Sequence, residues 1–284
     1  MPMSINTNVM SLNAQRNATN NQSSMATTMQ RLSSGLRVNT AKDDAAGLAI
    51  AERMNTQVRG MTVAVRNAND GISLSQVAES GISTLTDILQ RMRELAVQSL
   101  NSTNSSGDIN ALGQEYTQLG AELSRIISAV QFNGSPLFTT TAGYTFQVGA
   151  NTGQSISVAS STLNFQSAAG LSAVMGGSTA TTSGLIASSN AANSAHLLSI
   201  DTAIDTVNAA RAQLGAVQSR FEKTINFLET GIENQSAARG RIMDADFASE
   251  TSNLSRVQIL QQAGTAMIAQ ANQMPQSVLQ LLKG

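Results

Sequence analysis

At both ends of this chain the apolar residues recur every three or four positions, and that period fits the α-helix rather than the strand. Near the N-terminus Ile5, Val9 and Leu12 form one such set, and Met25, Met29, Leu32 and Leu36 form a second. Near the C-terminus Phe247, Leu254, Val257, Met267 and Ile268 carry the pattern to Pro275, and Val278 and Leu281 resume it. Proline has no N–H to donate, so a kink or a restart is predicted there. Neither end reads as a helix that stands alone. About half of residues 4–34 are Asn, Ser or Thr, whose side chains compete with the helical backbone for hydrogen bonds. The N-terminal arm is therefore predicted to order only when other chains surround it.

The middle of the chain is unlike the ends. Between Arg125 and Asp201 there is no Asp, Glu, Lys or Arg. Aromatic residues make up 3% of the 284 residues and there is no Trp, which deprives a single round core of its usual filling. Small side chains instead suit close helix–helix contact, so the composition predicts a mainly α fold, an elongated antiparallel helical bundle. A nucleic-acid partner is not expected, because 17 Lys and Arg are balanced by 18 Asp and Glu for a net charge of −1 and no basic face is left to displace counterions. Without Cys there is no disulfide or thiolate metal site. Membrane insertion is not expected either, since no apolar run approaches about 18 residues. Residues 1–20 show no basic stretch followed by an apolar one, so no cleaved signal peptide is predicted.

Along the chain, a long helix is predicted over residues 44–100, with an irregularity at Asn69-Asp70-Gly71. A Ser/Asn/Gly turn at 101–107 leads to a second stripe, Leu112, Tyr116, Leu119, Leu123, Ile126 and Val130, which should fold back antiparallel onto the first. After Phe132-Asn133-Gly134 the period drops to two: Tyr144, Phe146 and Val148, then a glycine-bearing turn, then Ile156 and Val158. This predicts a β-hairpin near residues 142–160. Residues 160–195, rich in Ser, Ala, Thr and Gly, read as a short exterior loop. Helical period returns from Leu197 to Ile232 and completes the bundle. No constellation suggests catalysis or metal binding: His196 is the only histidine, and neither an HExxH nor a GxSxG motif is present. No cofactor and no enzymatic activity are expected, and His196 reads as a surface or helix-start residue.

Several longer segments resemble those of the bacterial flagellins. They are Ile5-Asn6-Thr7-Asn8, QRLSSGLRVNTAKDDAAGLAIA at residues 30–51, ANDGI at 68–72, LQRMRELAVQ at 89–98, QFNG at 131–134 and QANQMPQSVLQLL at 270–282. The resemblance implies that residues 1–43 and 241–284 pair as a coiled coil in the inner tube of a filament. Residues 44–240 would then form the surrounding bundle with its hairpin, and the chain resembles a short form without large outer domains. It implies a secreted homopolymer, the extracellular bacterial flagellum, built for motility from subunits exported unfolded by the flagellar type III apparatus. The partners implied are other flagellin subunits, the flagellar cap, hook-junction proteins and an export chaperone. A hook–filament junction protein is the alternative.

By resemblance, particular residues acquire further roles. Arg91, Leu95 and Glu115 match the surface bound by the vertebrate flagellin receptor, although Arg91 and Glu115 also suit a plain ion pair across the bundle. Gln30, Asp43, Asp44 and Gly47 lie in the segment that resembles the one read by plant receptors. Arg31, Arg37, Lys42, Asp43 and Asp44 form a charge cluster that is either a solvated bend or a set of inter-subunit ion pairs. Leu279, Leu281 and Leu282 match the tail bound by an export chaperone and by host inflammasome sensors, and equally suit a coiled-coil seam. The apolar sets of both arms, from Ile5 to Leu281, are the predicted self-assembly residues.

Overall fold

The computed structural model describes residues 7–168, 171–175 and 190–283, with side chains placed at all of these except 173, 190–193 and 275–283. In chain order it contains α1 (Val9–Ser34), α2 (Ala45–Ser99), α3 (Ser106–Ala129), β1 (Gln131–Phe132), β2 (Ser135–Pro136), β3 (Tyr144–Gln147), β4 (Ser155–Val158), α4 (Ser160–Leu163), α5 (Leu171–Val174), α6 (Asn190–Met243) and α7 (Phe247–Lys283). Two compact units emerge: Met1–Val58 with Glu233–Gly284, and Arg59–Ile232.

The second unit holds most of the buried apolar residues. Ile82, Leu85, Leu89 and Met92 of α2 are fully buried, as are Leu123 of α3 and Ile200, Val207 and Leu214 of α6. Their spacing of three and four keeps one face of each helix inward. Arg93 Nε donates to Asp201 Oδ1 at 2.7 Å, and Gln218 Nε2 donates to Glu79 Oε2 at 3.4 Å. These pairs run α2 and α6 antiparallel. Helix α3 is started by a reciprocal capping box, in which Ser105 Oγ accepts from the Asp108 N–H and Asp108 accepts from the Ser105 N–H, satisfying donors that a helix start otherwise leaves open.

Helix α2 runs through Asn69-Asp70-Gly71 without a break, contrary to the sequence expectation. Gly71 is there for closeness rather than for a bend, because a Cβ on it would lie 2.5 Å from the ring of Phe221. That ring meets Phe146 edge to face at 5.6 Å between centroids, so Gly71 lets α6 and the hairpin approach α2. The predicted hairpin is present, with Phe146 opposite Ile156 and Tyr144 opposite Val158. Its strand β4 alternates exposed Ser with buried Ile156 and Val158. It lies on α2, where Asn67 Nδ2 donates to the Gln147 carbonyl at 2.9 Å. A smaller hairpin, β1–β2, went unpredicted. Asn133 at φ 49° and Gly134 at φ 78° form its two-residue turn, and Asn-Gly is the pair that such a turn favours.

The uncharged stretch corrects another expectation. Residues 160–168 and 171–175, predicted as part of an exterior loop, fold inward: Leu163, Phe165, Leu171 and Val174 are all buried in the main core. Phe165 packs on Phe138 with centroids 5.0 Å apart, and Thr162 shares a hydrogen bond with Gln213 of α6. Four well-spaced apolar residues suffice to bury a segment whose average composition is that of a loop. Of the rest of the predicted loop, residues 169–170 and 176–189 lie outside the described residues, and 190–195 already belong to α6.

Candidate functional site

In the first unit α1 and α7 pack along their lengths. Asn8 Nδ2 donates to the Ala271 carbonyl at 2.7 Å, Ser11 Oγ donates to Asn272 Oδ1 at 2.7 Å, and Arg31 Nη1 pairs with Glu250 Oε1 at 3.3 Å. As residue numbers climb on one helix they fall on the other, so the two are antiparallel. Gly35, at φ 72°, ends α1 by donating its N–H to the Arg31 carbonyl at 2.8 Å, a left-handed cap that Gly adopts without strain. Just beyond it Leu36 bridges Asp244, and the Arg37 N–H donates to the Met243 carbonyl at 2.6 Å.

Shielded positions on α1 fall at Ser11, Ala14, Ala18, Asn21, Met25, Thr28 and Leu32, and on α7 at Glu250, Leu254, Val257, Gln261, Gly264, Ile268 and Ala271. Both sets step by three and four, which is the heptad of a coiled coil. The predicted assembly residues therefore divide. Met25, Leu32, Leu254, Val257 and Ile268 belong to the seam and are half-buried, and Leu36 is half-buried at the bridge. Val9, Leu12, Met29, Phe247 and Met267 face outward, Val9 at 67% exposure and Met267 at 63%. Ile5 lies outside the described residues, and so do the side chains of Val278, Leu279, Leu281 and Leu282. Pro275 neither ends nor restarts α7, whose helix continues to Lys283.

Several seam residues escaped a search for large apolar side chains: Ser11 and Thr28 are the buried members of α1, and Glu250 is 8% exposed. A heptad template that admitted Ala, Ser and Thr would have found them. Small residues let the helices approach: a Cβ on Gly264 would sit 3.9 Å from that of Ala18. On one side of the pair this leaves an apolar groove, with Val9, Met10 and Ala14 on one bank and Leu260, Met267 and Met274 on the other.

The single chain thus supplies each arm with its first partner, where the sequence reading required other chains. What it does not cover is the outward face.

Arg91 donates from Nε and Nη2 to Glu115 Oε1 at 2.9 and 2.7 Å and from Nη1 to Glu94 at 2.9 Å, which raises its pKa. Leu95 does not join them. At 1% exposure it faces the core, so it gives a receptor no surface, because the period of α2 that presents Arg91 outward turns Leu95 inward. Asp44 caps α2 by accepting from the Gly47 N–H at 2.8 Å. Asp43 accepts from the Asn39 and Thr40 N–H groups and the Thr40 hydroxyl, which hold its carboxyl below the ordinary range. Gln30 is exposed on α1. The charge cluster disperses: Arg31 turns to Glu250, and Arg37 donates to the Ile242 carbonyl at 2.8 Å. His196 is half-buried on α6.

Among the described residues no group of His, Asp and Glu is arranged to hold a metal, and no helix is long and apolar enough to cross a membrane. A mainly α chain whose ends pair with each other and turn an apolar face outward has the build of a structural, self-associating protein. Residues 5–144 match the bacterial flagellin N-terminal helical region and residues 197–282 the bacterial flagellin C-terminal helical region. The chain is 46% identical to a flagellin of Halalkalibacterium halodurans, over 99% of this chain and 100% of that protein. It is 42% identical to the flagellar filament 33 kDa core protein of Treponema phagedenis and 41% identical to a flagellin of Bacillus subtilis, each over 99% of this chain and 100% of the relative. The chain belongs to the bacterial flagellin family, the structural subunits of the extracellular flagellar filament.

Proposed function

We propose that this chain polymerises through the outward faces of α1 and α7, acting as a structural and non-catalytic subunit of the filament that drives motility. The observation that carries the reading is the exposure of Val9, Met10, Leu12, Ile259 and Met267, at 56–67% each. Val9, Met10 and Met267 line one apolar groove, and an exposed apolar patch is a surface prepared for burial. Residues 1–43 and 241–284 would line the inner tube and 44–240 the layer around it. Export as an unfolded chain through the flagellar type III apparatus is consistent with the absence of Cys. Handling by an export chaperone, contact with hook-junction proteins and placement beneath the cap follow from the same reading. On the exposed surface, Arg91 and Glu115 remain available to a host receptor, and Gln30, Asp43 and Asp44 to a plant receptor, whereas Gly47 is buried beneath the Asp44 cap.

Electron microscopy of purified protein added to filament fragments tests this. Long filaments are expected, and a chain lacking residues 246–284 should keep the helical signal of its second unit yet fail to elongate. Collars that never lengthen would instead indicate a hook–filament junction protein. Filaments of normal length from the shortened chain would refute the role given to the arms.

A further inference from the structure

We propose that the groove between α1 and α7 is a methionine oxidation site whose state decides whether a subunit can join the polymer. The inference rests on the reading that the outward face of the arms is buried on assembly. Met10 is 65% exposed, Met267 63% and Met274 51%, and all three line the same groove. Met92 at 0% and Met243 at 7% are closed off. A peroxide therefore reaches the sulfurs of the groove, and that of Met29 at 56% exposure outside it, before the enclosed ones.

The chemistry is an oxygen-atom transfer. A lone pair on the thioether sulfur attacks one peroxide oxygen, the O–O bond breaks as the S–O bond forms, and proton transfer releases water from hydrogen peroxide. Sulfur loses two electrons and the peroxide gains them, which leaves a methionine sulfoxide. A flexible apolar side chain suited to an adaptable contact becomes a polar one, and packing it against an apolar surface now buries a dipole. Once a neighbouring copy covers the groove, the same sulfurs are out of reach. The free subunit is then the sensitive form and the filament the protected one.

The experiment exposes full-length subunits and preformed filaments to hydrogen peroxide, maps sulfoxides by peptide mass spectrometry and follows elongation on filament seeds. In free subunits Met10, Met267 and Met274 should oxidise ahead of Met92 and Met243, and in filaments they should resist. Elongation by oxidised subunits should fall about tenfold and return after treatment with the two methionine sulfoxide reductases. In M10L/M267L/M274L the ratio of elongation rates before and after peroxide should approach one. Oxidised subunits that elongate at the untreated rate would overturn the proposal, as would a triple variant as peroxide-sensitive as its parent. Should that variant not assemble, failure of the reductases to restore the oxidised parent overturns it instead. Untreated subunits that do not elongate at all would overturn the polymerisation reading, and this one with it.

Discussion

Tyr116 is fully enclosed in the second unit, and its hydroxyl has no hydrogen-bond partner among the described residues. Burial pushes its pKa up. A buried hydroxyl left unpaired forfeits its hydration without return. Tyr116→Phe should therefore hold or raise stability, by about 1 kcal/mol, read as a higher midpoint in urea at unchanged slope; a loss of that size would mean the hydroxyl is satisfied. His196 sets a second residue-scale expectation. Burial holds its pKa below the ordinary 6.5, so as pH falls past that value the unfolded chain takes up a proton before the folded one does. Stability that is present above the unfolded pKa then declines until pH passes the folded one. Asp43, Asp108 and Glu122 are lowered from 3.8 and 4.5, so their stabilisation fades only in stronger acid. Melting temperatures recorded between pH 7 and pH 5 should slope downward in the parent and flatten in His196→Gln; equal slopes would exclude the histidine as the source.

At the scale of elements, the segment α4–α5 is the one whose role the composition hid. Phe165→Ala should cost about 3–5 kcal/mol, because the ring is 1% exposed and packs on Phe138. A loss below 1 kcal/mol in urea unfolding would return the segment to the surface. What the sequence disclosed and what it withheld divide along a physical line. Helices α2, α3 and α6 and the hairpin β3–β4 were legible because large apolar residues mark their buried faces at a fixed period. The arms were legible as helices, but not in orientation. Their seam mixes Met25, Leu32, Leu254, Val257 and Ile268 with Ser11, Ala18, Thr28 and Gly264, small residues whose burial depends on how closely two helices approach. Large side chains such as Met29 and Met267 stayed outside. The irregularity expected at Gly71 is absent for a related reason: a glycine that admits the Phe221 ring looks, from one chain segment, like a glycine that disturbs a helix.

At the scale of the molecule, the two units differ in what holds them together. Buried apolar residues in the first are few, chiefly Val38, Ala51 and Met243, while the second contains nearly all of the rest. Opening free energy follows buried contacts. Amide hydrogens of α1 and α7 should exchange well before those of α2 between Ile82 and Leu95 in the free subunit, and become protected on polymerisation. Uniform protection before assembly would count against this ranking. The bond between Asn8 and Ala271 also has a temporal meaning. It joins residues 263 positions apart, and closing so long a span unaided costs on the order of 5 kcal/mol in chain entropy. Once Gln235 has met Gln57, which it does at 2.6 Å, the open span is much shorter, and the arms can zip outward from Arg37 and Met243. A molecule interrupted before α7 has nothing to zip against, so the closed pair is available only to a chain that carries both arms.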